Sequence, residues 1–379
     1  MTALVRNQIK SAYGQTDSVN PSLLLQKGLL EANQEKKHDD KSDNKKKTTH
    51  LEKIVKLPAS PEYNNTFNRW FELTSDANRF KQSAMTLENR LLIGLTGQGA
   101  LETGCSLSRN YGMPYIPGSS VKGVLRAWAN QHLAGHSDEL EQLFGTDDSE
   151  QPYRVSGLVT FHDAWWIPDP AKKEHKPFVL DVVTTHHQAY YNGTQAEPSD
   201  KDSPIPNHLL AVQGSFLFVL EGEPAAIDLC QTLLEKALAN NGIGAKTAAG
   251  YGYMKVDPAL MQRLLDEYEK RLSPEEREHR EAEAQRRNEQ QLEAAAKAEQ
   301  AKPPVQIIAE LRAGYLKHRD NAAYQLKVEN WVDTAIKTWT TQDRTLLAEC
   351  LKQVGYEPSN KKNPNHLIRK TRLQQLKGK

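Results

Sequence analysis

Short apolar runs alternate with glycine and proline between residues 87 and 257, and this alternation limits the fold more than any other feature of the chain. Apolar runs of this length, bounded by turn residues, are typical of strands. The strand-like runs read LLIGLTG, SGLVTFHDAWWI, FVLDVVTTH and LLAVQGSFLFVLEG. Two intervening segments, VKGVLRAWANQHLAG and Pro224–Asn240, have helical periodicity instead. Because strands and helices mix in this order, we predict an α+β domain with a mostly antiparallel sheet.

The composition changes along the chain and indicates where the domains begin and end. We predict a flexible N-terminus over residues 1–19 and the α+β domain over residues 20–257. Within that domain, residues 34–56 include EKKHDDKSDNKKKTTH, which offers nothing to bury and predicts a flexible charged loop. Residues 258–304 are rich in strong helix formers but poor in apolar residues, so we predict a solvated helical linker. Residues 305–379 are predicted to form a helical subdomain with a basic tail.

The apolar residues of this last subdomain recur at helical spacing, which predicts a small core of its own. The core candidates are Ile307, Leu311, Tyr315, Leu326, Trp331, Ile336, Trp339 and Leu347. The tail from Lys361 to Lys379 contains no acidic residue, although the net charge of the whole chain is only +1. Such a tail is typical of an accessory contact to a polyanion or a neighbouring subunit, and equally of a solubilising tail or a structural cap.

Several classes of protein are excluded by the sequence. No run of about 18 apolar residues is present, so we expect no membrane-spanning helix. The opening residues, MTALVRNQIK, lack the apolar core of a signal peptide. The three cysteines, Cys105, Cys230 and Cys350, are far apart and have no metal-binding spacing, so we expect a reducing cytosol and no metal or cofactor.

The segment YGMPYIPGSSVKGVLRAW, residues 111–128, is the first candidate for binding. Pro117 and Gly118 predict a turn, and Ser119 or Ser120 is expected to cap the helix that follows. A helix N-terminus offers unpaired N–H groups and a partial positive charge, which suit a phosphate.

Two cations follow on the same predicted helix. Lys122 and Arg126 stand four residues apart and therefore share one face, where an anion would relieve their repulsion. Val121, Leu125 and Trp128 cover another face and are predicted to be core. The alternative is a capped helix with two solvated cations.

The segment GIGAKTAAGYGYM, residues 242–254, is the second candidate. Gly244 and Gly250 permit positive φ and a close backbone approach to a ligand. Lys246 and Thr247 can contact phosphate, while Tyr251 either stacks on a base or packs inward. The loop is not a P-loop, since the Walker glycines are missing and it follows a helix rather than a strand, and the Rossmann pattern fails as well.

The histidines and carboxylates show no catalytic arrangement. The histidines considered are His162, His175, His186, His187 and His208. None has the spacing of zinc ligands, and no Ser–His–Asp or Cys–His pattern is legible. Asp163 and Asp181 have no obvious partner in the sequence.

Several short motifs together resemble a known family. They are GLTG at 94–97, LETG at 101–104, YGMPYIPGSSVKG at 111–123, Arg126, LFG at 143–145, FHDA at 161–164, GIG at 242–244 and GYG at 250–252. This set resembles the RAMP superfamily of CRISPR proteins, and within it the sixth subunits of type III-B (Cmr) effector complexes. The resemblance covers roughly residues 20–257.

The resemblance implies a ferredoxin-like (RRM-related) RAMP domain with insertions, here followed by a helical C-terminal extension. It implies a cytoplasmic protein that contacts CRISPR guide RNA near its 3′ part, target RNA and other Cmr/RAMP subunits. The residues expected to bind RNA are Arg109, Ser119, Ser120, Lys122, Arg126, Gly244, Lys246, Thr247, Gly250 and Tyr251.

Three functional readings follow from the sequence. In the first, the chain is a structural RNA-binding subunit and not an enzyme by itself. In the second, it is a metal-independent endoribonuclease that processes guide RNA, with His162, His186 or His187 as the general base. In the third, it is a scaffold whose glycine loop contacts protein rather than RNA.

Overall fold

The structure of the chain is a computed structural model that describes two compact units, Met1–Arg271 and Leu272–Lys379. The described residues are 2–3, 19–29, 31–32, 40–96, 101, 103–146, 155–169, 176–185, 187–200, 205–278, 282, 285–286, 288–290, 292–293, 302–318, 321–357 and 364–378. Of the predicted flexible N-terminus, residues 1 and 4–18 lie outside this set.

The first unit mixes short strands with helices. Its strands are β1 Thr2–Ala3, β2 Glu31–Ala32, β3 Phe80–Leu87, β4 Tyr115–Ile116, β5 Val159–Phe161, β6 Ala164–Trp166, β7 Phe178–Thr185, β8 Ile205–Val212, β9 Ser215–Gly222 and β10 Met254–Val256. Its helices are α1 Pro21–Lys27, α2 Asp40–Val55, α3 Pro61–Leu73, α4 Gly118–His132, α5 Ser137–Phe144, α6 Gln188–Tyr191, α7 Pro224–Asn240 and α8 Pro258–Arg271.

The main sheet has the order β10-β3-β9-β6-β4, and β5 also pairs with β9. All of these pairings are antiparallel. The longest is the central one, in which β3 and β9 pair from Phe80 opposite Glu221 to Thr86 opposite Ser215. The α+β class and the antiparallel sheet predicted from the sequence are therefore confirmed.

Helices cover both faces of this sheet. Neighbouring residues of a strand point to opposite faces, and in β3 Lys81 donates to Asp228 of α7, while Gln82 donates to the carbonyl oxygen of Phe71 in α3. Helix α7 also packs on β9 and against α4. The first six residues of β9 are all buried, since the strand has a helix layer on each side.

The strand beside β9 contains a β-bulge. Phe161 of β5 lies opposite Leu220, and Trp165 of β6 lies opposite Leu217. The chain thus moves four positions from Phe161 to Trp165, while β9 moves three positions from Leu220 to Leu217, so β5–β6 contains one extra residue. An extra residue of this kind bends a strand and redirects the side chains at the bulge. The residues involved are His162 and Asp163.

A separate hairpin is formed by β7 and β8, which pair from Phe178 opposite Val212 to Thr185 opposite Ile205. Helix α2 packs against both strands. The flexible loop predicted for residues 34–56 is therefore wrong for the part in α2, whereas residues 34–39 lie outside the described set. The apolar stripe of Leu51 and Ile54, both buried, overrides the low hydrophobicity of the segment.

The predicted linker over residues 258–304 also begins too early. Residues 258–271 are helix α8, which packs on β3. Leu260, Leu264 and Tyr268 lie at intervals of four and are all buried, with the Tyr268 ring edge-on to Phe71 at 5.8 Å. The linker prediction was wrong here because the composition of residues 258–304 as a whole is dominated by the charged residues that follow this short apolar stripe. The described residues between 274 and 293 are exposed.

The second unit is helical among its described residues. Its helices are α9 Pro304–Gly314, α10 Ala322–Thr338, α11 Thr341–Gln353 and α12 Pro364–Leu376. Most of the predicted core residues are buried in its core or packed against it. The exception is Leu326, whose side chain is largely exposed because it lies on the side of α10 opposite Val328 and Trp331.

The basic tail is partly neutralised inside this unit. Glu329 of α10 accepts hydrogen bonds from Tyr356, Arg369 and Arg372. Arg372 also pairs with Asp333 at 3.1 Å. Arg369 and Arg372, two of the basic residues predicted to contact a polyanion, thus fix α12 on α10 instead.

The structure adds two observations that bear on the excluded classes. No helix among the described residues is long and apolar enough to cross a membrane. The cysteines are all described and none forms a disulfide.

We predict that Glu329→Ala destabilises the second unit by about 2 kcal/mol, because two arginines and a buried tyrosine hydroxyl lose a charged acceptor. Glu349→Ala is the matched control, since Glu349 is exposed on α11. Urea unfolding of the full chain measures both variants. Equal free energies of unfolding for the two variants would show that the Glu329 network adds no stability.

Candidate nucleic-acid interface

Helix α4 begins differently from the prediction. Its N-cap is Pro117, whose own side chain accepts no capping hydrogen bond. The first helical N–H, that of Gly118, donates to Oδ1 of Asp163 at 2.7 Å. The predicted cap by Ser119 or Ser120 is therefore wrong, because both lie inside the first turn.

A carboxylate thus occupies the place where a phosphate was expected. The bulge of the neighbouring strand brings Asp163 to the start of α4. Negative charge at a helix N-terminus is favourable, so the Asp163 carboxylate stabilises this end of the helix. Ser119 is exposed and Ser120 is half-buried beside it.

The two cations of α4 keep the predicted arrangement. Lys122 and Arg126 are both half-buried on one face of the helix. Lys122 forms no ion pair with any described residue. The buried side, Val121, Leu125 and Trp128, is confirmed as core.

The glycine loop is held against residues 90–92 by backbone hydrogen bonds. The N–H of Ala245 donates to the carbonyl oxygen of Leu92 at 2.7 Å, and the N–H of Gly252 donates to that of Arg90 at 2.8 Å. The N–H of Ile243 closes the loop by donating to the carbonyl oxygen of Gly252 at 3.0 Å. The loop is therefore a fixed structure before any ligand arrives.

The glycines of this loop serve two different purposes. A Cβ at Gly244 would overlap the carbonyl oxygen of Leu92, so this glycine is needed for the fold itself. Gly250 has φ +87°, and a Cβ there would meet nothing within 4 Å. Of these two, Gly250 is the one whose backbone faces open space where a ligand can approach.

Lys246 and Thr247 form the exposed end of the loop. Lys246 has a left-handed backbone with φ 58°, and its side chain is exposed without an ion pair to any described residue. Thr247 is half-buried and starts a short 3-10 turn that ends at Ala249. The strained backbone of Lys246 presents its ammonium group outward.

Tyr251 packs inward, which decides between its two predicted roles. Its ring lies against the cluster of Leu92, Leu209 and Ala211. Its hydroxyl donates to Oδ2 of Asp181 at 3.0 Å.

Asp181 thus has partners that the sequence did not reveal, because Arg90 also pairs with its Oδ1 at 3.0 Å. Partial burial raises the pKa of Asp181, but hydrogen bonds from Arg90, the Val182 N–H and Tyr251 lower it by more. The net pKa is below the ordinary value, so the carboxylate stays ionised at neutral pH. Burial and the bond to Asp181 raise the pKa of Tyr251.

Arg109 lies on an exposed turn that α1 helps to hold. The side chain of Asn20, the N-cap of α1, donates to the carbonyl oxygens of Arg109 at 3.1 Å and Asn110 at 3.0 Å. Arg109 and Asp163 line the same cavity.

The remaining candidate residues occupy different places. His162 contacts Oε2 of Glu221 at 2.8 Å, and Glu221 also pairs with Arg79. His208 contacts Thr48 at 3.0 Å, while His175 and His186 lie outside the described residues. No group of three or more potential metal ligands was found in the described part of the chain.

Helix α7 connects the two predicted binding segments. It packs on α4, which carries Lys122 and Arg126, and it runs directly into the glycine loop. Asp163 was missed as a member of the first segment because its approach depends on a bulge. Asp181 is the single charged residue in the apolar run FVLDVVTT. A carboxylate among apolar residues needs a partner when it is buried, and this was the sequence signal that could have predicted one.

Comparison with solved structures finds partial likeness. One chain of the cryo-EM structure of type III-B Cmr-beta bound to cognate target RNA aligns with 21% identity and a TM-score of 0.47, covering 66% of this chain and 87% of that one. The crystal structure of Cmr6 from Pyrococcus furiosus aligns with 26% identity and a TM-score of 0.30, covering 47% of this chain and 98% of that one.

Comparison with curated sequences gives relatives of one kind. The CRISPR system Cmr subunit Cmr6 of Pyrococcus furiosus is 27% identical over 294 aligned positions, covering 61% of this chain and 82% of the relative. The Cmr6 subunit of Saccharolobus solfataricus is 28% identical over 177 positions, covering 45% of this chain and 56% of the relative. The family profile that matches, over residues 84–255, is that of the RAMP superfamily. Strands β3 to β10, helix α4 and the glycine loop therefore belong to a RAMP superfamily domain.

Proposed function

We propose that the chain is an RNA-binding, non-catalytic subunit of a cytoplasmic type III-B CRISPR ribonucleoprotein. In this role it binds guide RNA near its 3′ part, meets target RNA and contacts adjacent RAMP subunits. The observation that carries the proposal is the RAMP match over residues 84–255, which includes both predicted RNA-binding segments. The two curated relatives are named as Cmr6 subunits, which supports the type of complex.

We further propose that the core is ferredoxin-like. The elements β3, α4, β5–β6, β9, α7 and β10 follow one another as β-α-β-β-α-β, which is the order of that motif. The antiparallel order β10-β3-β9-β6 supports the same arrangement. The β7–β8 hairpin is then an insertion between the second and third strands of the motif.

Local charge rather than net charge supports RNA as the ligand. The chain as a whole carries a formal charge of only +1. Lys246 is exposed on a rigid loop, Arg109 is exposed on a turn, and Lys122 is half-buried beside Arg126. Cations of this kind contact phosphates, and such contacts set the position of the nucleic acid.

A single preparation tests the proposal. The full chain is purified from cells that express guide RNA, and the bound nucleic acid is sequenced. We expect small repeat–spacer RNA to copurify, and we expect added repeat RNA to stay intact in EDTA. Absence of bound RNA argues against the binding role, whereas cleavage that His162→Ala abolishes favours the endoribonuclease.

We predict that Lys122→Ala and Lys246→Ala each weaken binding of single-stranded RNA roughly fivefold, corresponding to about 1 kcal/mol. Each should also flatten the salt dependence by about 0.7 per lost phosphate contact. Lys56→Ala is the control, because Lys56 is an exposed lysine just after α2. Fluorescence anisotropy at several salt concentrations measures both quantities, and a salt slope equal to that of Lys56→Ala would contradict the phosphate contacts.

We also predict that Gly250→Val weakens RNA binding roughly tenfold, because a branched side chain obstructs the open side of the loop. Gly355→Val is the matched control, since Gly355 has φ +77° and equally open surroundings in the second unit. Both variants carry a similar backbone strain of about 1 to 2 kcal/mol. If the two variants bind RNA equally well, Gly250 does not approach the ligand.

A further inference from the structure

A cavity of about 290 Å³ opens between α3, β4, β6 and the segment 107–114. It is lined by Tyr63, Leu107, Ser108, Arg109, Met113, Pro114, Tyr115, Asp163 and Trp165. The apolar floor and Tyr63 are buried, Tyr115 and Trp165 are half-buried, and the two charged residues are exposed. Its volume is at the small end of the range for ligand pockets, about 300 to 1,000 Å³. Its size therefore suits one small planar group better than a large ligand.

The wall of the cavity is rigid. Tyr115 of β4 and Trp165 of β6 are opposite each other in the antiparallel pair, so their side chains share a face of the sheet. The Trp165 ring stacks on Tyr63 at 5.9 Å and on Trp70 at 5.9 Å. The Tyr63 hydroxyl donates to the carbonyl oxygen of Trp166 at 2.6 Å, which fixes this ring as well.

One ring of this wall is available for a ligand. Tyr115 has no ring neighbour and no side-chain hydrogen bond within the described ranges. Its half-exposed ring lines the cavity beside the fixed rings of Tyr63 and Trp165. A planar group that enters the cavity can stack on this ring.

The two charged residues of the cavity, Asp163 and Arg109, favour different parts of a ligand. Asp163 uses Oδ1 to accept the Gly118 N–H, and Oδ2 has no partner among the residues that the structure describes. An ionised carboxylate oxygen is an acceptor only, so the part of a ligand that it favours is a hydrogen-bond donor such as an N–H group. Arg109 is exposed and has no ion pair within the described part of the chain, so it is available to pair with an anion.

We propose that this cavity binds one unstacked base of the RNA, with the base on Tyr115, an N–H edge on Asp163 and a flanking phosphate on Arg109. The proposal rests on the proposed RNA-binding function and names a site for it. A cationic side chain from a neighbouring protein fits less well, because Arg109 repels it. Single-stranded RNA is commonly recognised by such a combination of aromatic stacking and hydrogen bonds to a base edge.

The polarity of Asp163 selects among the bases. Guanine presents adjacent N1–H and amino donors, and adenine and cytosine each present an amino group. Uracil has one N–H between two carbonyl oxygens, which repel a carboxylate. Guanine is therefore the preferred occupant and uracil the poorest.

The test uses the full chain and two fluorescent RNAs, an octauridine and the same RNA with one central guanosine. We expect the wild type to bind the guanosine-containing RNA at least about fivefold more tightly. Asp163→Asn keeps an oxygen for the Gly118 N–H but presents an N–H donor to the cavity. The ratio of the two affinities, guanosine-containing RNA over octauridine, should therefore fall close to one. Tyr115→Leu should reduce the preference as well, whereas Asp138→Asn, a change at an exposed aspartate on α5, should retain it.

The possible outcomes distinguish a failure of the proposed base site from a failure of the proposed RNA-binding function. Equal binding of both RNAs by the wild type overturns the base site while leaving the RNA-binding function in place, and it is the result expected if a protein side chain fills the cavity. A guanosine preference that survives in both Asp163→Asn and Tyr115→Leu overturns the site as well. If neither RNA binds to the wild type at any salt concentration, the proposed function itself fails. Circular dichroism of each variant establishes that it is folded.

Discussion

The antiparallel pairing of β3 with β9 is the constraint on which the rest of the first unit depends. Seven residue pairs join the two strands, and β9 is buried on both faces because helices lie above and below it. Once this pair is in place, α4 and α7 have one face to cover, while α3 and α8 have the other. The candidate binding residues lie outside this pair, on connecting segments and on α4, so the residues proposed to bind RNA are largely distinct from those that form the central pair.

Fixed geometry is the common property of the groups that we propose to bind a ligand. Lys246 is held outward by a loop whose own backbone bonds to Arg90 and Leu92, and Tyr251 closes that loop through Asp181. A polar group that is ordered before binding loses less entropy when the ligand arrives. The same is true of Asp163, whose position is set by the Gly118 N–H. Two arginines of the second unit, Arg369 and Arg372, are instead turned toward Glu329.

The sequence predicted those features that depend on local pattern. The α+β class, the presence of α4 though not its first residue, its buried face at Val121 and Leu125, and most of the core of the second unit follow from periodicity alone. The features that were missed depend on contacts distant in sequence. The partners of Asp181 and the approach of Asp163 to α4 are set by tertiary packing, and α2 and α8 are helices whose few apolar residues matter only because a sheet lies beside them.

The bulge at His162 and Asp163 also bears on how relatives of this chain are to be aligned. Before it, Val159 is buried at an odd-numbered position; after it, Ala164 and Trp166 are buried at even-numbered ones. A shift of one residue moves every later side chain of a strand to the opposite face. In a relative without the extra residue, an alignment without a gap would match Trp165 to a residue of the core. It would match Trp166 to a residue that lines the cavity. Alignments should therefore place a single-residue gap here, since identity scores alone would pair a buried tryptophan with an accessible one.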